Sequence, residues 1–509
     1  ILVIAAVLGG ATNYTRISTT MEYSPYTQRG KSELKDVNGK AKDEGLDSKY
    51  ILEYSYGKAE TMTFLIPNFK GGSMGESVMY NSEGEPNEDS ETLKYLNTVR
   101  NKKKHQELKE QTSSYWGDND RANQKVGPGA PTYLGSIIVF LFVLGILYVK
   151  SPYKYWILMS TILSVMLGWG YNLSGFSEFF INFIPGYSKF RAVTMVMIIA
   201  EFGIALLAIL SLNKFLNKDD EKEKEKKLKL AFYITGGITL LFAIIPSLFL
   251  DFLSPNDIKS SNPEFFNALS TDRASILKSD AWRSFIFIFL SSGVLWMFIK
   301  GKIKKQYVII VFGVLILFDM WSVDKRYLNE THFIEESKFT IEKTPADDTI
   351  INNNFNRSRV LDESVSTFSS ARASFFHNSI GGYSAAKFKR YQELYQSYII
   401  PTKDTILNGE KITYRVPAPH KNKILGMLNC GWVIDKFLPR GKRNISKNYV
   451  SRATNSISKG IKPEGNAWFV SDVKIVEDAN EELESLDSFN PTTTAIIDSR
   501  FIDNLKEFT

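Results

Sequence analysis

The feature that most constrains this chain is the crowding of its apolar residues into one part of the sequence. Over all 509 residues, 44% are hydrophobic and the mean hydropathy is −0.15, which is typical of a soluble protein. Between about Tyr133 and Val323, however, long apolar runs follow one another, and the flanking regions are polar and rich in Asn, Ser, Lys and Glu. The runs are apolar on all sides, which favours membrane helices over buried helices of a soluble protein.

Six segments have about the length and composition that a helix needs to cross a bilayer, although the last two are marginal in length. They predict a multi-pass α-helical membrane domain over residues 133–323. The predicted helices are Tyr133–Val149, Tyr153–Gly170, Ala192–Leu212, Leu230–Leu250, Trp282–Ile299 and Tyr307–Val323.

The rest of the chain predicts three further parts. Residues 1–10 are expected to be the end of a membrane helix, residues 11–132 a loop domain, and residues 324–509 an α+β domain. Residue 1 lies inside an apolar run without a basic segment before it, and residues 501–509 stop without a closing element. We therefore expect this chain to be an internal piece of a longer protein.

The distribution of Lys and Arg predicts the orientation of the membrane domain, because cytoplasmic loops carry the positive excess. The loops Lys150–Lys154, Lys214–Lys229 and Lys300–Lys305 are rich in lysine, whereas Tyr171–Arg191 and Asp251–Ala281 are aromatic or of mixed charge. The lysine-rich loops are therefore predicted to be cytoplasmic. We expect a protein of the bacterial cytoplasmic (inner) membrane whose loop domain and C-terminal domain are both extracytoplasmic.

Composition also argues against several classes of site. The net charge of +7 comes from lysines clustered beside apolar runs, so a nucleic acid is not expected as a partner. The single cysteine, Cys430, excludes an intramolecular disulfide and predicts a small packed side chain. With four histidines, a His-rich metal site is not expected either.

The C-terminal domain shows short strand-like runs and one helical pattern, Ala385–Ile400, but no HExxH, CxxC or recognisable Ser/His/Asp arrangement. His377 follows two phenylalanines, and as a lone histidine it favours a structural role over a catalytic one. The predicted strands are Arg359–Leu361, Trp432–Ile434, Trp468–Val470 and Ala495–Ile497.

The segment Phe183–Thr194 predicts an anion site. A Pro-Gly turn brings Lys189 and Arg191 to the outer membrane interface at the start of a helix, where free N–H groups and the helix dipole also favour an anion. The planar fork of Arg191 can hold a lipid phosphate at two points. The alternative is that these cations only anchor the helix at the interface.

Two carboxylates lie within the predicted spans. Glu201 is ten residues after Arg191 and so near the middle of the bilayer, where an ionisable group is costly. It is either a proton- or ligand-binding group or a protonated partner in a hydrogen bond between helices. Asp319 is near the outer end of its helix, with Asp324 and Arg326 beyond it, which favours an interfacial ion pair.

Eight short motifs follow one another along most of the chain. They are Ser55–Gly57, Leu65–Gly72, Tyr115–Asp118, Pro185–Arg191, Asp319–Asn329, His377–Tyr383, Lys389–Gln392 and Gly465–Val470. Each motif is weak alone, and their order is specific. In these motifs the chain resembles the YfhO-like bacterial membrane proteins, particularly their Bacteroidetes type, with a departure from the pattern at Cys430–Trp432.

This resemblance implies a GT-C-like glycosyltransferase that transfers sugar with inversion from a polyprenyl-phosphate donor onto an extracytoplasmic polymer or glycolipid. Arg191, with Lys189, matches the phosphate-holding position. The catalytic carboxylate, which acts as base or as ligand of a divalent metal, is expected upstream of residue 1. His377, Tyr383 and Tyr391 are candidates on the acceptor side, and the tyrosines have packing as their ordinary alternative. Two other functions stay open: a transporter or flippase for an anionic lipid or polymer, and a non-catalytic envelope assembly protein.

Overall fold

A computed structural model describes residues 2–35, 46, 48–73, 75–117, 132–217, 220–254, 257, 262–333, 335, 341–354, 357–407, 410–415, 418–435, 449–451 and 462–502. The chain divides into two compact units. Ser48–Ile334 form one, called here the helical unit. Ile1–Asp47 and Glu335–Thr509 together form the other, called here the terminal unit. This division differs from the predicted boundaries, since residues 48–117 belong with the apolar helices.

The helical unit has short polar helices before residue 117 and longer apolar helices after residue 135. The polar helices are Ser48–Ile51, Glu91–Thr98 and Lys102–Lys109, with a 3₁₀ turn at Ala59–Phe64. The apolar helices are Ser136–Tyr148, Pro152–Gly168, Ser174–Phe183, Met197–Phe215, Glu221–Ile244, Pro263–Ile299 and Lys305–Tyr327. Short 3₁₀ turns lie at Gly170–Leu173, Tyr187–Lys189, Val193–Val196, Pro246–Leu248 and Glu330–His332.

Several of these helices are long and apolar enough to cross a membrane. In the described part of the chain there are four such segments by length and composition, and up to five if one bent pair counts as a single span. The bent pair is Pro152–Gly168 with Gly170–Phe183, at an angle of 110°. The four segments are Val193–Phe215, Glu221–Ile244, Pro263–Ile299 and Lys305–His332. They support the predicted association with a membrane.

The first two predicted spans differ from the observed helices. In place of Tyr133–Val149 there is a helix of 13 residues, Ser136–Tyr148, which is roughly 20 Å long and short for a bilayer. Its side chains Ile137, Phe140 and Leu144 are fully buried. Packing inside the unit therefore accounts for its apolar sequence. The predicted span Tyr153–Gly170 ends at Gly168, where the chain bends.

The prediction of a loop over Asp251–Ala281 is wrong for most of its length. Residues Pro263–Ile299 form one helix of 37 residues, called here the long helix. At about 1.5 Å per residue it is roughly 55 Å long, well beyond the thickness of a hydrocarbon core. Its first half carries charges that resemble those of a solvated loop in the sequence, but several of them are buried and bound within the unit.

Two adjacent charges of the long helix organise residues 90–117. Asp272 accepts hydrogen bonds from the Ser90 hydroxyl at 2.7 Å and from the backbone N–H groups of Glu91 and Thr92 at 2.9 Å, so it caps another helix. Arg273, which is 1% exposed, binds Asp257 at 2.6 Å.

The same guanidinium also binds two backbone segments to the long helix. Arg273 donates to the carbonyl oxygens of Phe252 at 2.9 Å and of Ser113 at 2.8 and 3.1 Å. Burying such a charge costs free energy unless its donors find partners, and here Asp257 and the carbonyls supply them. Nearby, Ile66, Phe69 and Trp116 share one hydrophobic cluster with the apolar helices.

Replacing Arg273 should therefore destabilise the helical unit. We expect Arg273→Ala to cost about 3–5 kcal/mol, because it leaves Asp257 as an unpaired buried charge. Thermal unfolding of the detergent-solubilised chain, followed by tryptophan fluorescence, measures this loss. Lys278→Ala, an exposed cation on the same helix, is the matched control and should leave the melting temperature unchanged. Equal melting of both variants would contradict the bracing role.

The terminal unit combines short helices with small sheets. Its helices are Leu2–Thr12, Tyr14–Tyr23, Pro345–Asn353, Arg372–Phe376, Lys389–Leu394, Lys421–Met427 and Ala479–Ser485, with a 3₁₀ turn at Ser24–Tyr26 and a π-helical turn at Tyr395–Ile399. Its strands are Arg359–Asp362, Thr402–Leu407, Glu410–Arg415, Cys430–Asp435, Tyr449–Ser451, Asp472–Val476 and Thr494–Asp498.

The described strands pair into three small sheets. Cys430–Asp435 pairs in parallel with Arg359–Asp362 on one side and Tyr449–Ser451 on the other. Thr402–Leu407 and Glu410–Arg415 form an antiparallel hairpin. The remaining two strands, Asp472–Val476 and Thr494–Asp498, pair in parallel.

Most of the predicted elements of this unit are present. Three predicted strands lie in observed strands, whereas Trp468–Val470 is an irregular segment before Asp472, where the Trp468 indole donates to the Pro491 carbonyl at 2.7 Å. The predicted helix Ala385–Ile400 begins only at Lys389. Cys430 is fully buried in the core of the unit, as predicted.

Cys430 offers a direct test of this core. Burial raises the pKa of its thiol to about 12, so little reactive thiolate forms near neutral pH. We expect iodoacetamide to label the folded chain at pH 8 at least tenfold more slowly than the chain unfolded in guanidinium. Because Cys430 is the only cysteine, mass spectrometry of the intact chain reads its labelling directly. Equal labelling rates would show that this core is open.

Candidate functional site in the helical unit

A sharply folded connection brings Arg191 to the start of an apolar helix. After the helix Ser174–Phe183, the Pro-Gly pair turns the chain, with Gly186 at φ 82°, a left-handed conformation that favours glycine. Ala192 is also left-handed at φ 63°, which is costly for a residue with a Cβ. The 3₁₀ turn Val193–Val196 then leads into Met197–Phe215. Arg191 therefore lies directly before one strained backbone position, Ala192, and such positions are often part of functional sites.

The side chain of Arg191 is enclosed by residues from far upstream. Its guanidinium donates to the hydroxyl of Tyr50 at 2.6 Å and to that of Tyr54 at 2.9 Å, and it pairs with Glu53 at 2.9 Å. It also lies over both tyrosine rings, 4.3 and 4.7 Å from their centroids. We call Tyr50, Glu53, Tyr54 and Arg191 the arginine cage.

The arginine cage keeps its cation charged and partly accessible. Burial tends to lower the pKa of Arg191, but Tyr50 and Glu53 together raise it above its ordinary value. The side chain is 28% exposed. Its Nε is buried and has no hydrogen-bond partner among the described residues, which leaves one donor of the fork unsatisfied.

Lys189, the other predicted phosphate ligand, ends the 3₁₀ turn two residues before Arg191 and is half-buried. The sequence analysis did not identify Tyr50, Glu53 and Tyr54. In a helix, an i, i+3, i+4 spacing puts three side chains on one face, a signal that was available in the sequence, although the observed helix ends at Ile51. What the spacing lacks is any indication that Arg191 packs against that face.

A second carboxylate is buried close to this segment. Glu60 is 3% exposed, accepts from the backbone N–H of Gly57 at 2.8 Å and binds the hydroxyl of Tyr115. Tyr56 donates to the Glu60 carbonyl at 2.9 Å, and burial together with Glu60 raises its pKa. The motif Tyr115–Gly117 thus meets Ser55–Gly57, whereas Asp118 lies outside the described residues.

Glu201 lies in the helix Met197–Phe215, about two turns beyond Val193. It is half-buried, and within the described part of the chain it makes no hydrogen bond or ion pair. The alternative of a hydrogen bond between helices is therefore not observed among these residues.

Asp319 is part of a structural network instead of an exposed site. It is 1% exposed and pairs with Arg283 of the long helix at 2.9 Å. Tyr133 and Ser136 donate to its two oxygens at 2.6 and 3.0 Å, so it also caps the helix Ser136–Tyr148. The predicted ion pair exists with a different partner, since Arg326 binds Asp280 at 2.7 and 2.8 Å.

In the terminal unit, His377 is one of three groups that converge on a buried carboxylate. Its Nε2 lies 2.9 Å from Asp347, and Arg372 pairs with the same carboxylate at 2.6 Å. Thr344 donates its backbone N–H and its hydroxyl, both at 2.7 Å. These partners compensate the charge of the fully buried Asp347, and the geometry supports a structural role for His377.

The two candidate tyrosines differ in environment. Tyr391 donates its hydroxyl to the Ile380 carbonyl at 2.5 Å, and its ring lies edge-on to Phe368. Tyr383 is 69% exposed and is available to a ligand. Tyr391 therefore contributes to packing, although it also lines a cleft, together with His377.

The Asp347 cluster predicts a pH-dependent stability of the terminal unit. Burial opposes ionisation, but the bonds from His377, Arg372 and Thr344 hold the pKa of Asp347 well below its usual range. A depressed pKa stabilises the fold above the ordinary carboxyl pKa of ~3.9, and this stabilisation declines as the pH falls below it. We expect Asp347→Asn to cost about 3–5 kcal/mol at pH 7 and less at pH 3.5.

The temperature at which Cys430 becomes reactive toward 4,4′-dithiodipyridine, a reagent that also reacts with thiols in acid, measures this difference at the two pH values. Asp348→Asn, at the exposed neighbouring position, is the control and should behave as the wild type does. A cost for Asp347→Asn that stays the same at both pH values would contradict the assignment.

No metal-binding cluster stands out: three or more His, Cys, Asp or Glu side chains do not come together anywhere in the described ranges. Comparison with known protein families, with curated proteins and with solved structures finds no match to this chain. Function is therefore inferred from the residues and their geometry.

Proposed function

We propose that this protein is a glycosyltransferase of the bacterial cytoplasmic membrane that uses a polyprenyl-phosphate sugar and modifies an acceptor of the cell envelope. In this proposal the arginine cage faces the extracytoplasmic side, as the lysine-rich loops predict. The observation that carries it is the guanidinium of Arg191, which has an unsatisfied Nε donor and lies at the start of an apolar helix. A lipid-linked phosphate needs such a cation beside an apolar surface for its chain.

The cage explains how the cation is kept in place before a donor binds. Glu53 and the two tyrosine rings hold the guanidinium in one orientation, so less conformational freedom is lost on binding. An incoming phosphate then competes with Glu53 for the fork of Arg191. Charge-assisted Arg–phosphate bonds contribute about 1.5–3 kcal/mol each, which is enough to replace a partly exposed ion pair.

The transfer step needs a base as well as this anchor. The acceptor hydroxyl attacks the anomeric carbon, the bond from that carbon to the phosphate oxygen breaks, and the lipid phosphate leaves with the electron pair. The acceptor proton passes to a carboxylate acting as general base. In the described chain, Glu53 is the carboxylate that lies next to Arg191.

A second candidate function is transport of an anionic lipid or polymer. The observation that favours it is Glu201, which has no partner in the described part of its apolar helix. Intramembrane carboxylates of this kind commonly bind protons or coupling ions. If the protein is a transporter, Glu201→Gln should abolish uptake into proteoliposomes. If it is a glycosyltransferase, the wild type itself should show no uptake.

The glycosyltransferase proposal is tested with the protein in nanodiscs, supplied with undecaprenyl-phosphate sugars. We expect Arg191→Ala to weaken undecaprenyl-phosphate binding by about 10- to 100-fold, and Arg191→Lys to restore only part of it, because the planar fork is lost. Glu53→Gln removes the competing charge and should strengthen binding a few-fold. Native mass spectrometry measures binding, and a radiolabelled sugar measures transfer.

The matched control is Arg100→Ala, an exposed arginine of the same unit. It should bind and transfer as the wild type does. Absence of transfer by the wild type with every donor would overturn the enzyme proposal. Wild-type behaviour of Arg191→Ala would overturn only the role of Arg191, and a helix anchor would then be the remaining explanation.

A further inference from the structure

A polar cleft of about 730 Å³ lies in the terminal unit. Arginines, amides and hydroxyls line it, and no Asp or Glu is among the described residues of its wall. The side chains that matter most are Arg357, Arg359, Ser374, Asn378, Tyr391 and Asn466. A wall of donors without a carboxylate is the chemistry of an anion site.

Two of these arginines differ from the other described arginines around them. Arg372 pairs with Asp347, Arg390 with Glu482, and Arg500 with Asp498. By contrast, the guanidinium groups of Arg357 and Arg359 have no acidic partner within the described residues, although both line the same cleft. Two like charges that share a cleft repel each other, so a bound anion would stabilise the pair.

The backbone around the cleft holds its donors in position. Arg357 has a left-handed φ of 50°, rare for a residue of this kind, and its N–H donates to the Asn354 carbonyl at 3.1 Å. The Asn378 amide donates to the Arg357 carbonyl at 3.4 Å from the other side. A strained conformation that its neighbours maintain is a common feature of binding sites.

Asn429 links the second arginine to the opposite wall. Its carbonyl accepts from the Arg359 N–H at 2.6 Å, and its side-chain amide donates to the Asn466 oxygen at 2.7 Å. That bond occupies the acceptor of Asn466 and leaves the Asn466 NH₂ as a donor. Behind the cleft, Asp347 fixes the ring of His377.

We propose that this cleft binds the phosphate or carboxylate group of an acidic glycan. Arg357 and Arg359 contact the oxyanion, Asn466 donates to it, and the ring of Tyr391 supplies an apolar surface for a sugar. This assignment deepens the proposed function, on which its biological meaning rests, by naming the acceptor as an anionic polymer. Binding itself needs neither the lipid donor nor the transfer reaction.

The test uses the full chain in nanodiscs and three end-labelled oligomers: poly(glycerol phosphate), polygalacturonate and neutral dextran. Fluorescence anisotropy measures their dissociation constants. We expect one or both acidic oligomers to bind and dextran not to bind, and the stronger acidic oligomer identifies the anion as phosphate or carboxylate. Arg357→Ala with Arg359→Ala should weaken that binding at least tenfold.

The matched control removes the same net charge elsewhere, as Arg16→Ala with Arg100→Ala, two exposed positions outside the cleft. It should change the dissociation constant less than twofold. Slow labelling of Cys430 confirms that each variant is folded, and Arg357→Gln with Arg359→Gln replaces the alanine pair if that pair unfolds.

Three results would overturn the inference: equal loss in both double variants, equal binding of dextran, or equal binding of a single-stranded DNA oligomer. If the cleft variant binds weakly and the wild type transfers no sugar, the cleft is an anion site but the protein is not a glycosyltransferase. If the wild type transfers sugar but binds neither acidic oligomer, the glycosyltransferase proposal stands and the anion site in the cleft is rejected.

Discussion

Buried charges on the first half of the long helix are the constraint on which the rest of the helical unit depends. Asp272 caps the helix Glu91–Thr98, and Arg273 joins Asp257 to the carbonyls of Ser113 and Phe252. About two turns further, Asp280 pairs with Arg326. Each charge is costly to bury alone, and each becomes tolerable only when segments distant in sequence bring their partners to it.

This arrangement attaches the polar segment 48–117 to the apolar helices. Ile66 and Trp116 pack in the same cluster as Ile137 and Phe140, while the long helix supplies the polar partners on its own face. The arginine cage is a result of that attachment. Tyr50, Glu53 and Tyr54 meet Arg191 because their segment is held against the start of the helix that follows it.

The terminal unit shows the same physical rule with two outcomes. Around Asp347, a buried carboxylate has Arg372 and His377 as partners, and the cluster is closed. At the neighbouring cleft, Arg357 and Arg359 have no acidic partner among the described residues, and the cluster is open. A satisfied charge network stabilises a fold, whereas an unsatisfied one can bind a ligand.

The sequence by itself determined where apolar helices form, because a long run without charge has few alternatives to a helix in a membrane or a core. It also determined the burial of Cys430 and most short strands, which depend on local pattern. It could not determine that Pro263–Ile299 is one helix, because the sequence does not distinguish a buried charged residue from a solvated one. Nor could it show that Ser136–Tyr148 is a short buried helix, since its cap, Asp319, comes from residues far along the chain. The partner of Arg191 was likewise decided only by tertiary structure, because Tyr50 is 141 residues away and no local spacing records that contact.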